Sequence, residues 1–249
     1  MAYLYETHLH TNVGSKCGRT SPEDYIHAYV QKGYSGIVVT DHFFNGNCAI
    51  NSQLPWKMRV DAYAEAYERA KEEGDKQGLD VFFGMETRLG NDECLIYGVD
   101  KQWLYEHPEF ENVNHKEQYD LIHSAGGAIV QAHPFRERSY MDAVDIYPKY
   151  VDALEGYNKE NARSEDLRTL ELAERIGMIV TAGSDVHDVA WMKDTPPFGV
   201  VVDKKWASIK DYVKLLRSHN RNAFEVSVPE EEKRRQAFSL NFPVHIHWD

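Results

Sequence analysis

Seven residues able to bind a metal fall where short apolar segments end: His8, His10, His42, Glu86, His133, Asp185 and His187. Imidazole and carboxylate together suit divalent transition cations. In a strand, residues two apart point to the same side, so His8 and His10 can face one ion, and Asp185 and His187 can do the same. A lone His at a strand end is more often a hydrogen-bonded core or surface residue, and an isolated His-x-His pair is weak. Here separate segments agree. His245-Ile246-His247 repeats the spacing without a following Asp or helix, and is read as tail structure. His27, His115, His123 and His219 fall within or beside predicted helices, and His107 precedes a proline.

Positioning such a set needs many strand ends on one side. The apolar pattern predicts strands at Tyr3–Leu9, Gly36–Thr40, Val81–Glu86, Cys94–Val99, Ala128–Ala132, Ala153–Tyr157, Met178–Ala182 and Gly199–Val202. Between them it predicts helices at Pro22–Lys32, Val60–Gln77, Lys116–Ser124, Ser164–Ile176 and Ile209–His219. Ser21 and Pro22 are a helix start, and Gly33, Gly78, Gly126 and Gly177 are helix stops. Strand–helix alternation predicts an α/β fold with a parallel sheet, which seven or eight strands can close into a barrel. Chemistry in such barrels lies at the C-terminal strand ends. The first strand ends in His8-Leu9-His10, the second in Asp41-His42, the third in Glu86, the fifth in His133-Pro134 and the seventh in Asp185-Val186-His187.

The 249 residues fit a single domain, 1–249, with no internal repeat or linker. Lys and Arg number 28 against 40 Asp and Glu, a net charge of −12 that argues against gripping long nucleic acid. It leaves room for an anionic substrate held through cations. The three cysteines, Cys17, Cys48 and Cys94, have no CxxC spacing. Mean hydropathy is −0.59 and no apolar run approaches membrane-span length. No signal peptide is visible, so the expected location is the cytoplasm. The charge run Glu230 to Arg235 reads as a solvated helix face or turn.

Five segments in order resemble the PHP (polymerase and histidinol phosphatase) family: Glu6-Thr7-His8-Leu9-His10-Thr11, Val39-Thr40-Asp41-His42, Gly84-Met85-Glu86, the run from Gly126 to Pro134, and Gly183-Ser184-Asp185-Val186-His187. They end near residue 190, and the last ~60 residues carry no assignable motif. The resemblance implies a distorted (β/α)7 barrel, TIM-like, holding two to three divalent ions of Zn, Mn or Fe. It implies that His8, His10, Glu86 and Asp185 share a first metal. Glu86 then bridges to a second held by His133, and His42 and His187 hold a third. Two family positions are altered. The loop from Thr11 to Arg19 offers no His or carboxylate, only Cys17 as a soft ligand or an ordinary loop thiol. The fourth strand has no His, leaving Glu93, Cys94 or water.

The implied activity is hydrolysis of a small phosphorylated metabolite, of phosphomonoester, histidinol-phosphate or nucleotide type, through metal-activated hydroxide. Glu86 and Asp185 carry the metal chemistry, and Arg136 is the candidate to hold phosphoryl oxygens, with Arg19 and Lys16 behind it. Asp41 is expected to orient a ligand His. The loops Phe43–Met58 and Asp188–Phe198 are candidates for specificity, and their aromatics Phe43, Phe44, Trp56, Trp191 and Phe198 either line a pocket or pack. Alternatives are an exonuclease or oligonucleotide phosphodiesterase, an amidohydrolase-type hydrolase, and a non-enzymatic interaction module. Neither a membrane nor long nucleic acid is an expected partner.

Overall fold

Strand and helix alternate along the chain as the apolar spacing requires, and the strand ends gather on one side. The computed structural model describes residues 2–193, 195–228 and 241–248. The run Glu230 to Arg235 lies outside them. The strands are β1 (Tyr3–Glu6), β2 (Gly36–Val39), β3 (Asp80–Leu89), β4 (Asp92–Tyr97), β5 (Ala128–Ala132), β6 (Val144–Ile146), β7 (Ala153–Asn158), β8 (Ile179–Gly183), β9 (Gly199–Val202), β10 (Glu225–Ser227) and β11 (Val244–Ile246). The helices are α1 (Pro22–Gln31), α2 (Trp56–Gln77), α3 (Lys101–Glu106), α4 (His115–Ser124), α5 (Arg163–Ile176) and α6 (Ile209–Leu216). Ser21 caps α1 through the Asp24 amide, and Gly78 and Gly177 end α2 and α5 in the left-handed region.

Nine strands form one sheet in the order β10-β9-β1-β2-β3-β4-β5-β7-β8. It is a distorted, nearly closed barrel of mixed strands, not the parallel sheet that alternation predicts. β4 runs antiparallel to both β3 and β5, and β9 antiparallel to β1 and β10. No helix separates β3 from β4. The Gly90-Asn91 turn joins them, with Gly90 at φ 72°, so a hairpin replaces a crossover. β4 therefore presents its first residues, not its last, at the end where β1, β2, β3, β5, β7 and β8 finish.

The barrel closes where the chain beyond β8 lies beside the chain beyond β1. The Asp185 amide donates to the His8 carbonyl at 2.8 Å, and the His10 amide to the Val186 carbonyl at 3.0 Å. Thr7 Oγ1 donates to the Ala182 carbonyl at 3.0 Å. At the opposite end an apolar plug includes Tyr5, Leu95, Tyr97, Val200, Trp206 and Tyr212, with Tyr5 and Trp206 stacked at 3.8 Å. Two further cores lie between sheet and helices. Among the described residues, no helix is long and apolar enough to cross a membrane.

Candidate metal centre

His8 and His10 leave β1 on the interior side, as residues two apart must. Glu86 leaves β3, and Asp185 follows β8. Their polar atoms converge. His8 Nε2 lies 3.1 Å from His10 Nε2, 3.2 Å from Glu86 Oε1 and 3.5 Å from Asp185 Oδ1. His10 Nε2 lies 3.4 Å from Glu86 Oε2 and 3.1 Å from Asp185 Oδ1. Metal–ligand bonds of ~2.0–2.1 Å in a tetrahedron put donor atoms about 3.3 Å apart. His8 Nε2, His10 Nε2 and Asp185 Oδ1 thus outline one face of such a tetrahedron, and Glu86 meets the two imidazoles through different oxygens, Oε1 toward His8 and Oε2 toward His10. The other groups adjoin it. His133 Nε2 lies 3.3 Å from Glu86 Oε1 and 3.5 Å from Glu93 Oε2. His42 Nδ1 faces Glu86 Oε2 at 2.7 Å, yet neither buried atom makes a hydrogen bond. His10, His42 and His187 form a third convergent set, with Cys17 in contact with both His42 and His187. Buried imidazole and carboxylate clusters of this kind are consistent with a multinuclear metal site.

A surrounding layer fixes the rings. Glu155 Oε1 accepts from His8 Nδ1 at 2.9 Å, while its Oε2 accepts the His133 amide at 3.0 Å and Asn158 Nδ2 at 2.8 Å. Gly183 leaves room for this contact: a Cβ there would lie 2.5 Å from both Glu155 Oε1 and His8 Cβ. Ser15 Oγ meets His10 Nδ1 at 3.1 Å and donates to Asp41 Oδ1 at 2.7 Å, so Asp41 orients His10 through a hydroxyl. His187 Nδ1 meets the Asp185 carbonyl at 2.8 Å. In neutral His8, His10 and His187, an Nδ1–H held in these contacts leaves the Nε2 lone pair free for a metal. Asp185 and His133 have φ of 53° and 31°, a left-handed backbone that costs about 1–3 kcal/mol per residue.

Charge at the centre is divided. Burial lifts the Glu86 and Asp185 carboxyls, but His42 and His8 for Glu86, and His8 and Arg136 for Asp185, hold both well below the usual carboxylate range. Burial and the neighbouring His42 and His187 hold His10 well below the usual imidazole range, in its neutral, metal-binding form. Burial pulls His8 down too, but Glu155, Asp185 and Glu86 outweigh it and raise it.

A family model described as the PHP domain matches residues 6–220. The chain belongs to the PHP family. Among solved structures, one two-domain protein from Bacteroides vulgatus contains a predicted PHP-like metal-dependent phosphoesterase. It aligns at TM-score 0.68 and 13% identity over 92% of this chain, which spans 65% of that longer chain. An inferred metal-dependent phosphoesterase from Bifidobacterium adolescentis aligns at TM-score 0.53 and 15% identity, over 86% of this chain and 96% of that one. An amidohydrolase from Chromobacterium violaceum, solved with bound sulfate and no metal, aligns at TM-score 0.52 and 13% identity, over 85% and 96%. At these identities the likeness is one of fold. No curated protein matches the chain.

This PHP domain opens its centre into a cavity of about 600 Å³. Cys17, His42, Glu86, His133, Arg136, Asp185 and His187 all line it. His8 and His10 lie beneath, wholly buried. Arg136 is engaged at each nitrogen: Nη1 with Asp185 Oδ2 at 2.5 Å, Nη2 with Asn158 Oδ1 at 2.6 Å and Nε with Asn161 Oδ1 at 2.8 Å. Lys16 and Arg19 are exposed and do not line the cavity. Phe43, Phe44 and Trp56 pack together with Tyr63 of α2, and Phe198 is buried. Asn45, Gly46 and Asn47 of the same loop reach the rim instead, with Arg88 and Tyr140. Cys94 faces the core beside Asp92, so Glu93 is the β4 residue at the centre. Sequence reasoning missed Glu155, Asn158 and Arg88. A bulge between Glu155 and Tyr157 breaks the strand alternation and turns both Glu155 and Asn158 inward. Arg88 follows from the reversal of β4, which puts the β3–β4 hairpin on the rim.

Proposed function

We propose that this PHP domain is a metal-dependent phosphoesterase that hydrolyses a small phosphorylated metabolite and uses two or three divalent cations of Zn, Mn or Fe type. The triangle of His8 Nε2, His10 Nε2 and Asp185 Oδ1, with Glu86 against both imidazoles, supports this reading most directly. Orphaned Glu86 Oε2 and His42 Nδ1, buried 2.7 Å apart, fit a cation better than a hydrogen bond. Cations held there supply Lewis acidity toward water and toward phosphoryl oxygens. His8, His10, Glu86 and Asp185 hold the first, Glu86 and His133 with Glu93 the second, and His42 and His187 with Cys17 the third. Glu155, Ser15 and Asp41 keep the imidazole lone pairs aimed inward. Arg136 acts through Asp185, locking its carboxylate. Arg88 is the better phosphate clamp: its Nε donates to the Gly90 carbonyl at 3.1 Å, and its terminal nitrogens have no hydrogen-bond partner among the described residues. The cavity suits a small ester, since ligand pockets of 300–1,000 Å³ take single small molecules.

Metal content and turnover test this together. Protein purified without chelator is expected to carry two or three equivalents of cation and to cleave p-nitrophenyl phosphate. His10→Ala and Asp185→Ala should lose metal and at least about a hundredfold in turnover while remaining folded. Near-native turnover in either variant would overturn the site. Cleavage of bis-p-nitrophenyl phosphate but not of the monoester would assign a phosphodiesterase instead.

A further inference from the structure

A second His-x-His pair lies away from the barrel mouth. β11 pairs in parallel with β6, placing His245 opposite Asp145. The Val144 amide donates to the Pro243 carbonyl at 2.9 Å, and the His247 amide to the Ile146 carbonyl at 2.8 Å. His245 and His247, two apart on a strand, turn to the same side. His245 Nδ1 lies 3.1 Å and His247 Nε2 2.9 Å from one oxygen, Asp145 Oδ1, and all three donor atoms fall within 4.8 Å of one another. None of the three residues lines the main cavity.

The arrangement resembles the inner face of a cation site. Two imidazole nitrogens aimed at one carboxylate oxygen stand within a few tenths of an ångström of the ~3.3 Å edge of a tetrahedral zinc site. Surrounding contacts fix each ligand. Asp145 Oδ2 accepts Asn91 Nδ2 at 2.9 Å, which leaves Oδ1 for the imidazoles. The Tyr147 ring stacks on His247 at 4.3 Å with planes 7° apart, and on its other side Tyr147 stacks on His115 at 3.5 Å. His245 is 53% exposed, so an ion could enter from solution and keep water at its remaining position. We propose that Asp145, His245 and His247 form a second, separate site for a divalent cation of zinc type, and that the ion clips β11 to β6. Through Asn91 the clip reaches the β3–β4 turn, whose flanking residues Arg88 and Glu93 line the main cavity.

Zinc counting on the intact protein tests this. Chelator-stripped protein is reloaded with zinc, passed through gel filtration and measured by mass spectrometry. His245→Ala/His247→Ala and Asp145→Asn are each expected to retain about one equivalent fewer than the wild type. The deficit should persist in a His10→Ala background, and zinc should slow hydrogen exchange at the His247 amide in the wild type alone. Asp145→Asn can still hydrogen-bond both imidazoles, so it keeps the test valid if the double variant does not fold. Equal zinc retention in Asp145→Asn and wild type overturns the second site. If His10→Ala alone lowers the count, the main centre stands and this site falls.

Discussion

Glu155 and His8 are wholly buried and meet at 2.9 Å, carboxylate to Nδ1, so the face that His8 turns to the candidate metal centre is set from behind. Glu155 also holds the His133 amide, so one carboxylate positions two proposed ligands from different strands. Glu155→Gln keeps the shape but weakens the acceptor and can present an amide N–H to Nδ1. Metal affinity is expected to fall by about 10–100-fold, the usual cost of losing such a support. Isothermal titration of stripped protein with zinc measures it, and an unchanged affinity would remove Glu155 from the support of the centre.

Arg136 has a similar place behind Asp185. Arg136→Ala leaves a buried carboxylate without its cation and should destabilise the stripped protein by about 3–5 kcal/mol in urea titration. Arg136→Lys restores the charge but cannot span Asp185, Asn158 and Asn161 together. It should recover most of the stability while metal affinity stays reduced. Recovery of both would make Arg136 a charge partner only.

Cys17 differs from the other two cysteines. Burial pushes its thiol up, but contacts with His187 and His42 outweigh this and bring it down to about 6. Cys48 and Cys94 are buried, and burial raises both thiols. Iodoacetamide should therefore label only Cys17 in stripped protein, with a midpoint near pH 6, and zinc should protect it. A midpoint near the free-thiol value of ~8.5 would place Cys17 away from the imidazoles.

Glu6 carries a pH signature of folding. Burial raises its carboxyl to about 7, against hydrogen bonds from Ser184, His8 and Tyr29. The folded state therefore binds a proton that the unfolded chain releases near pH 4.5. Stability falls as pH rises through that window, by at most about 3 kcal/mol, and is level above it. In Glu6→Gln the amide oxygen can keep the His8 and Ser184 amides, and its NH₂ can donate to Tyr29. The variant should match the wild type at pH 5 and melt about 5 °C higher at pH 8. A constant difference across that range would show that Glu6 folds ionised.

The convergence of these His, Glu and Asp side chains was legible because each lies at or just beyond the end of an apolar segment, where side-chain period and strand direction suffice. What stayed hidden depends on irregularity. Strand–helix alternation implies parallel neighbours, and only the short Gly90-Asn91 turn gives away the reversal of β4. Glu155 and Asn158 are three apart and reach one centre through a bulge that no periodicity foretells. Short β6 and β11 carry too few residues to show a period, so the His245-Ile246-His247 pair read as tail. The Arg136 side chain, three residues past His133, was legible as near the centre, but its three acceptors come from distant or irregular segments.

Because β4 opposes both its neighbours, the strands that carry the site form two parallel arcs, β1-β2-β3 and β5-β7-β8, with reversed β4 between them and β9 and β10 continuing the sheet beyond β1. His8, His10, His42 and Glu86 belong to the first arc, and His133, Asp185 and His187 to the second. Opposite β4 the arcs touch along a short seam, where Asp185 and His10 exchange backbone hydrogen bonds with His8 and Val186. Any cation sharing ligands from both arcs is then a clasp across that seam. Loading the centre is then expected to tighten the barrel as well, raising its melting temperature in step with cation occupancy.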